Sequence, residues 1–291
     1  MDYHRDRFED YSLLIRTEKG ELLAVLPAHK QETILSSHMG LTYGGFVVAP
    51  EMKTGKMLDT FASVIEFLRN NGFSSLVYKT VPYIYHTVPA EEDRYALHLC
   101  RAERFLSSPA VVVPRCGRLP YQTRRLRGIK RAVKEGIRVE ETNNFADFWE
   151  ILERNLGEVH ASKPVHSLTE MLLLKKRCPD HIRLFGAFED GDMLAGVLIY
   201  ESAQVAHVQY IASGARGRDI SALDLLFHVL ITQDFANKKY FDFGTSSTGS
   251  GGVNAGLLDQ KEGFGARAVT QDWYRIDLTA VSTTDVRSAA V

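Results

Sequence analysis

Ile182-Arg183-Leu184-Phe185-Gly186-Ala187-Phe188 forms a strand-like run, Asp190-Gly191 breaks it, and Asp192-Met193-Leu194-Ala195-Gly196 resumes it as far as Tyr200. Two strand-like segments around an acidic residue and a glycine spell a tight hairpin, because these residues tolerate the positive φ of the turn. The same pattern occurs near the start, where residues 11–16 and 21–26 flank Glu18-Lys19-Gly20. The turn exits match: Gly20-Glu21-Leu22-Leu23-Ala24 against Gly191-Asp192-Met193-Leu194-Ala195. After the first hairpin the spacing predicts a helix over residues 56–70, with Leu58, Phe61, Ile65 and Leu68 on one face and Asn71-Gly72 as its stop. A strand over 75–79 follows. After the second hairpin come a strand over 205–211, a helix over 221–236 with Leu223, Leu226, Phe227 and Leu230 inward, and a strand over 240–243. Hairpin, helix and strand in the same order twice predict a duplicated α/β domain.

The length of 291 residues suits two domains. Pro114, Gly117 and Pro120 mark the boundary. The expected spans are a first domain over 1–114, a connecting basic helix within 115–136, a second domain over 137–278, and a tail over 279–291 without periodicity, expected to be frayed. Residues 115–138 hold nine basic residues and one acid, Glu135. Leu126, Ile129 and Val133 form the apolar stripe of that helix, and Arg127, Lys130, Arg131 and Lys134 lie off it. Those cations form either a solvated face or an electropositive wall for a phosphorylated ligand. Asn144 caps a helix over 145–156. Ser167, with Glu170 in the capping-box position, caps one over 168–177.

With 35 Lys plus Arg against 36 Asp plus Glu, the net charge of −1 argues against a general nucleic-acid coat while leaving room for a local basic groove. A composition 45% hydrophobic and 24% charged is that of a globular chain. No stretch approaches the roughly 18 apolar residues of a membrane span. Residues 1–10 lack an apolar core, and Cys100, Cys116 and Cys178 show neither pairing nor metal-ligand spacing. The expectation is a cytoplasmic protein without an integral membrane segment or a metal site.

Four segments carry a family likeness: the basic run from Arg124 to Ala132 with Gly136 and Val139; Ile182-Arg183-Leu184-Phe185 leading to Ala195-Gly196; Tyr240-Phe241-Asp242-Phe243-Gly244; and Lys261-Glu262-Gly263-Phe264-Gly265. Their order resembles the FemAB-like branch of the GNAT acyltransferases. In the first half, Tyr43-Gly44-Gly45 and the hairpin add a weaker match. The resemblance implies two tandem GNAT-like domains, each a mixed, mostly antiparallel sheet flanked by helices. It also implies a ligand gap between the fourth and fifth strands of the second domain. The implied activity is N-acyl transfer from acyl-CoA or aminoacyl-tRNA to an amine of a cell-envelope precursor, an amino sugar or a peptide. The Arg124 to Lys134 stripe could meet a tRNA acceptor end. The alternative is a non-catalytic binder of a nucleotide-linked or phosphorylated ligand on a degenerate transferase fold.

Within that frame, Asp242 is a base or substrate anchor, or else bonds a neighbouring loop and holds the sheet open, since a carboxylate in an apolar strand must be paired. Lys261 offers a point charge for a phosphate or a developing oxyanion, and the resemblance places it at the donor's charged end. Tyr210 is an acid, a substrate contact or a packed core residue. Arg216, Gly217 and Arg218, after the fourth strand, replace the usual pyrophosphate loop and are donor-phosphate candidates, or form a solvent loop before a capped helix. Tyr43, Gly44, His160, Lys163 and His166 are acceptor-side candidates. The ligand cleft is expected between the domains, lined by the Arg216 loop and Lys261.

Overall fold

The computed structural model describes residues 2–160, 163–247 and 252–289, and the chain forms two compact units: residues up to 108 together with those from 270 on, and residues 109–269. The first unit opens with β1 (Glu9–Asp10), the hairpin β2 (Leu13–Arg16) and β3 (Leu22–Leu26), β4 (His29–Gln31), β5 (Ile34–Ser36) and β6 (Val47–Val48). Helix α1 (Thr54–Asn70), β7 (Ser75–Lys79), α2 (Glu92–Leu99) and β8 (Glu103–Pro114) follow. The second unit holds α3 (Thr123–Lys134), β9 (Arg138–Thr142), α4 (Phe145–His160), α5 (Leu168–Arg177), β10 (Ile182–Glu189), β11 (Asp192–Glu201) and β12 (Val205–Ser213). It continues with α6 (Ala215–Asp219), α7 (Ala222–Val229), a π-helical turn over Leu230–Asp234, β13 (Tyr240–Thr245) and α8 (Ala255–Glu262). β14 (Arg267–Asp277) leads back to the first unit, which α9 (Thr283–Ser288) completes.

In the first unit, β1, β4, β5, β7 and β14 are neighbours in that order, and the hairpin β2–β3 stands with β6 in a separate three-stranded sheet. Helix α1 buries Leu58, Phe61, Ile65 and Leu68, the stripe its spacing predicts. The second unit orders its strands β8-β13-β12-β11-β10-β9. Asp190 and Gly191 have φ of 50° and 99°, the left-handed turn expected between β10 and β11. One face of this sheet packs Phe227, Phe241, Phe243 and Phe264 under α3 and α7. The other packs Phe148, Trp149, Met171 and Leu184 under α4 and α5. Ser167 and Glu170 form the capping box at α5.

Three expectations differ from the structure. The tail is ordered through 289: Val281 and Val286 are buried in the first unit's core, Arg69 donates to the carbonyls of Leu278 and Val281, and Arg287 pairs with Glu66. The unit boundaries fall at 108/109 and 269/270, inside β8 and β14, so Pro114 lies within a strand. The α3 face is rotated: Leu126 and Val133 are exposed, while Gly128, Ile129 and Ala132 are buried and Arg125 pairs with the buried Asp224 of α7. An ion pair and a missing side chain, rather than a leucine stripe, seat this helix.

A Cβ at Gly128 would fall on the Asp224 carboxylate and within 3.0 Å of Ser221 Cβ. Overpacking at Gly128→Ala costs about 1–3 kcal/mol against the roughly 1 kcal/mol that Ala gains over Gly in a helix, and with a Cβ on the carboxylate itself the net loss is expected toward the upper end, about 2 kcal/mol. Leu126→Ala should shift it by less than about 0.5 kcal/mol. Urea unfolding of both variants is the measurement, and a more stable Gly128→Ala would contradict the packing.

Candidate active site

The parallel ladder between β12 and β13 has three rungs, Val205↔Tyr240, Ala206↔Phe241 and His207↔Asp242. Beyond the last rung β12 runs on to Ser213 against β11 alone, while β13 turns away. A bulge opposite β8 helps it do so: Asp242 pairs with Val112, but the next registered pair is Thr245 with Ala110. Gly244 supplies the bend with φ of 70°. The backbone of two neighbouring strands therefore separates at one point.

Three buried ionisable side chains surround that point. His207 donates its Nδ1–H to Asp242 Oδ2 at 2.8 Å, and the Gly244 amide donates to Asp242 Oδ1 at 2.7 Å. The carboxylate thus has a partner on each oxygen, which is how an apolar strand tolerates it. Lys261, the last-turn residue of α8 and only 4% exposed, donates Nζ–H bonds to the carbonyls of Thr245 at 2.8 Å and Gly244 at 3.2 Å. Burial lowers its pKa to about 8 against the opposing pull of Asp242. An ammonium has three donors, and these carbonyls engage two.

A second pair lies on the same face of β12. The β11–β12 register shifts between Leu198↔Tyr210 and Ile199↔Val208, so Gln209 is the extra residue. Strand residues alternate faces, and one inserted residue reverses the alternation. Tyr210 therefore leaves the face of Val208 and joins that of His207. Its hydroxyl lies 2.7 Å from His166 Nδ1 and accepts the His166 amide at 3.2 Å, with the Trp149 ring 5.5 Å away. Burial raises the phenol's pKa.

The other sequence candidates fall elsewhere. Arg216, Gly217 and Arg218 form the short helix α6 rather than an open loop. The Arg216 guanidinium is bonded to Glu189 and Glu135, and Arg218 donates to Asn155 Oδ1 and the Ser213 carbonyl, so both cations already have internal partners. Gly217 is packed under the Leu194 carbonyl, 2.6 Å from where a Cβ would stand. In the first unit Tyr43 donates to the Tyr85 hydroxyl at 2.9 Å, and a Cβ on Gly44 would sit 2.9 Å from Lys79 Cβ and Ser37 Oγ. Gly44 is thus a close-packing position. Beside it, buried Lys79 bonds the Leu41 and Thr42 carbonyls and stands over the Trp273 ring, its pKa lowered to about 8 by burial. Lys163 is exposed, and the side chain of His160 lies outside the described residues.

Sequence reading missed His207. Its only sequence signal is that both it and Asp242 stand two residues after the start of their strands, which matters once the strands are known to pair in parallel. Among the described residues no group of three His, Cys, Asp or Glu side chains is arranged to hold a metal ion, and no helix is long and apolar enough to cross a membrane.

The lowered pKa of Lys261 has a stability consequence. Between pH 8 and 10.5 the unfolded lysine keeps a proton that the folded one has released, so the contribution of Lys261 to stability rises with pH across this window. Lys261→Met lacks the term. The stability difference between the two proteins, from urea unfolding at pH 7.5, 9 and 10, is expected to move in favour of wild type as pH rises. A pH-independent difference would contradict a buried, desolvated ammonium.

No family model matches the sequence, and comparison with curated proteins finds no significant match. Solved structures do match. FemX is 11% identical with a TM-score of 0.68, covering 99% of this chain and 92% of that one. L-PGS from Bacillus licheniformis is 12% identical with a TM-score of 0.59, covering 96% and 88%. A tandem GNAT protein from the clavulanic acid biosynthesis pathway is 11% identical with a TM-score of 0.52, covering 92% and 82%. Likeness at this identity speaks to the fold, and with the ladder that opens after His207 and Asp242 it is unambiguous: this chain has the tandem GNAT fold of FemAB-like type.

Proposed function

We propose that the chain is an N-acyltransferase that moves an acyl or aminoacyl group from acyl-CoA or aminoacyl-tRNA to an amine of a cell-envelope precursor, an amino sugar or a peptide. The observation that carries this reading is the imidazole–carboxylate pair on the last rung before the strands part. Asp242 holds His207 as the Nδ1–H tautomer, leaving basic chemistry to Nε2. The acceptor nitrogen attacks the donor carbonyl carbon and gives its proton to His207. The carbonyl oxygen takes up the negative charge and meets the third donor of Lys261. The tetrahedral adduct collapses with cleavage of the carbon–sulfur or ester carbon–oxygen bond. Tyr210, kept protonated by its raised pKa and set by His166, supplies the leaving group's proton. His166, Lys163 and His160 are the acceptor-side residues of this reading in the second unit.

A second reading is a binder of a nucleotide-linked or phosphorylated ligand that does not turn it over. In its favour, the segment after β12 is the short helix α6 with engaged arginines rather than the usual pyrophosphate loop, which weakens acyl-CoA use; a phosphate would then be held by other groups.

Assay of the purified protein with acyl-CoAs and aminoacyl-tRNA against a panel of amines separates the two. His207→Gln is expected to lower turnover by about 10²–10⁴, and Lys261→Ala by about 10²–10³, with folding retained by circular dichroism. Binding of donor without turnover over the whole panel would favour the second reading, and full activity in both variants would remove this site from the reaction.

The pH profile offers an independent check. A charged Lys261 is needed to meet an oxyanion, so activity should fall as pH rises through about 8. Lys261→Arg, which stays charged, should lose rate yet flatten that limb.

A further inference from the structure

At the opposite end of β13 from Gly244 the second unit has a cavity of about 230 Å³. Its apolar wall is made by Ile231, Phe235 and Phe241, all buried. Arg115, Arg118 and Lys238 also line it. Lys238 is spoken for: it pairs with Glu201 at 2.7 Å and donates to the Ser202 carbonyl. The two arginines are different. Arg115 reaches only the Asn237 carbonyl at 3.5 Å, and Arg118 stands over the Tyr121 ring at 5.3 Å. Among the described residues no carboxylate pairs with either guanidinium.

The wall has a structural oddity. The chain leaves α7 through the π-helical turn Leu230–Asp234, which contributes Ile231 to the cavity. Such turns are rare and concentrate at functional sites. The size is selective too. An apolar cavity of about 150 Å³ takes benzene, while drug-sized ligands need about 300–1,000 Å³. A volume of about 230 Å³ suits one ring or a short chain.

We propose that this cavity binds a small amphipathic oxyanion, a carboxylate or phosphate head on a short apolar body, with Arg115 and Arg118 holding the head and Phe235 and Phe241 the body. The guanidinium fork matches both head groups bidentately, and an arginine without a carboxylate partner, beside a hollow of mixed polar and apolar lining, is complementary to such a ligand. The site is separate from His207, Asp242 and Lys261 and does not depend on the transferase reading. It abuts their strand all the same, because Phe241 immediately precedes Asp242.

Isothermal titration of the full chain with octanoate, octyl phosphate, 1-octanol and inorganic phosphate tests this. Saturable 1:1 binding of octanoate, octyl phosphate or both is expected, and the preferred one identifies the head group. Octanol and inorganic phosphate should bind about tenfold more weakly or worse, each lacking half of the recognition. Arg115→Ala/Arg118→Ala, changing two exposed residues, should lose about tenfold or more in affinity, while Lys261→Met should bind as wild type does. Octanol binding as tightly as the acids, inorganic phosphate binding as tightly as octyl phosphate, undiminished affinity in the double arginine variant, or no binding of either acid would each overturn the proposal.

Discussion

The second unit is organised around a carboxylate that has no business in an apolar strand. Asp242 lies between Phe241 and Phe243, and an unpaired charge there would cost more than the strand gains by forming. Its two oxygens are taken by the His207 ring and the Gly244 amide. The first bond locks β12 to β13 at their last shared rung. The second stabilises the left-handed bend that sends β13 away. One buried group thus fastens the strands together on one side of a point and forces them apart on the other. Lys261 completes the arrangement by gripping the carbonyls of the bend, which fixes the C-terminal end of α8 as well.

The two units solve a similar problem in different ways. Each buries one lysine whose ammonium bonds two consecutive backbone carbonyls, Lys79 those of residues 41 and 42, Lys261 those of residues 244 and 245. In both, burial lowers the pKa to about 8, at Lys261 against the opposing pull of Asp242. The surroundings differ: Lys79 has an aromatic face beside it, whereas Lys261 has a carboxylate within electrostatic reach. Lys79 is a cross-brace between β7 and the segment carrying Tyr43 and Gly44.

What the sequence showed and what it hid follow from the range of the interactions involved. Helix α1, strand β7 and both hairpins are set by local spacing and turn chemistry, and they stand where the spacing puts them. The α3 face was misread because Leu126 and Val133 satisfy helical periodicity, while the deciding contact, Asp224 on Arg125 and Gly128, comes from a residue about a hundred positions later. The face that Tyr210 takes is not legible from alternation along the strand, because the bulge at Gln209 is specified by pairing with β11. Lys261 stands out in the sequence only as a lone cation before Gly263-Phe264-Gly265; its burial and its carbonyl partners depend on the path of β13. The phosphate role of Arg216 faded for the same reason: its glutamate partners lie 27 and 81 residues away.

The route of the chain through β8 and β14 bears on the order in which the protein can be made. Residues 109–269 are contiguous and hold every element of the second unit, so that unit can close as soon as they leave the ribosome. The first unit begins earlier but lacks β14 and α9 until residues 267–288 have been made, and with them Ile276, Leu278 and Val286 of its core. Domains usually fold in the order of synthesis, N-terminal first. Here the N-terminal half must wait, its apolar α1 face incompletely covered, while the later half matures. The first unit's core is thus stitched from segments on either side of the second unit's sequence, and it closes only when both have been made.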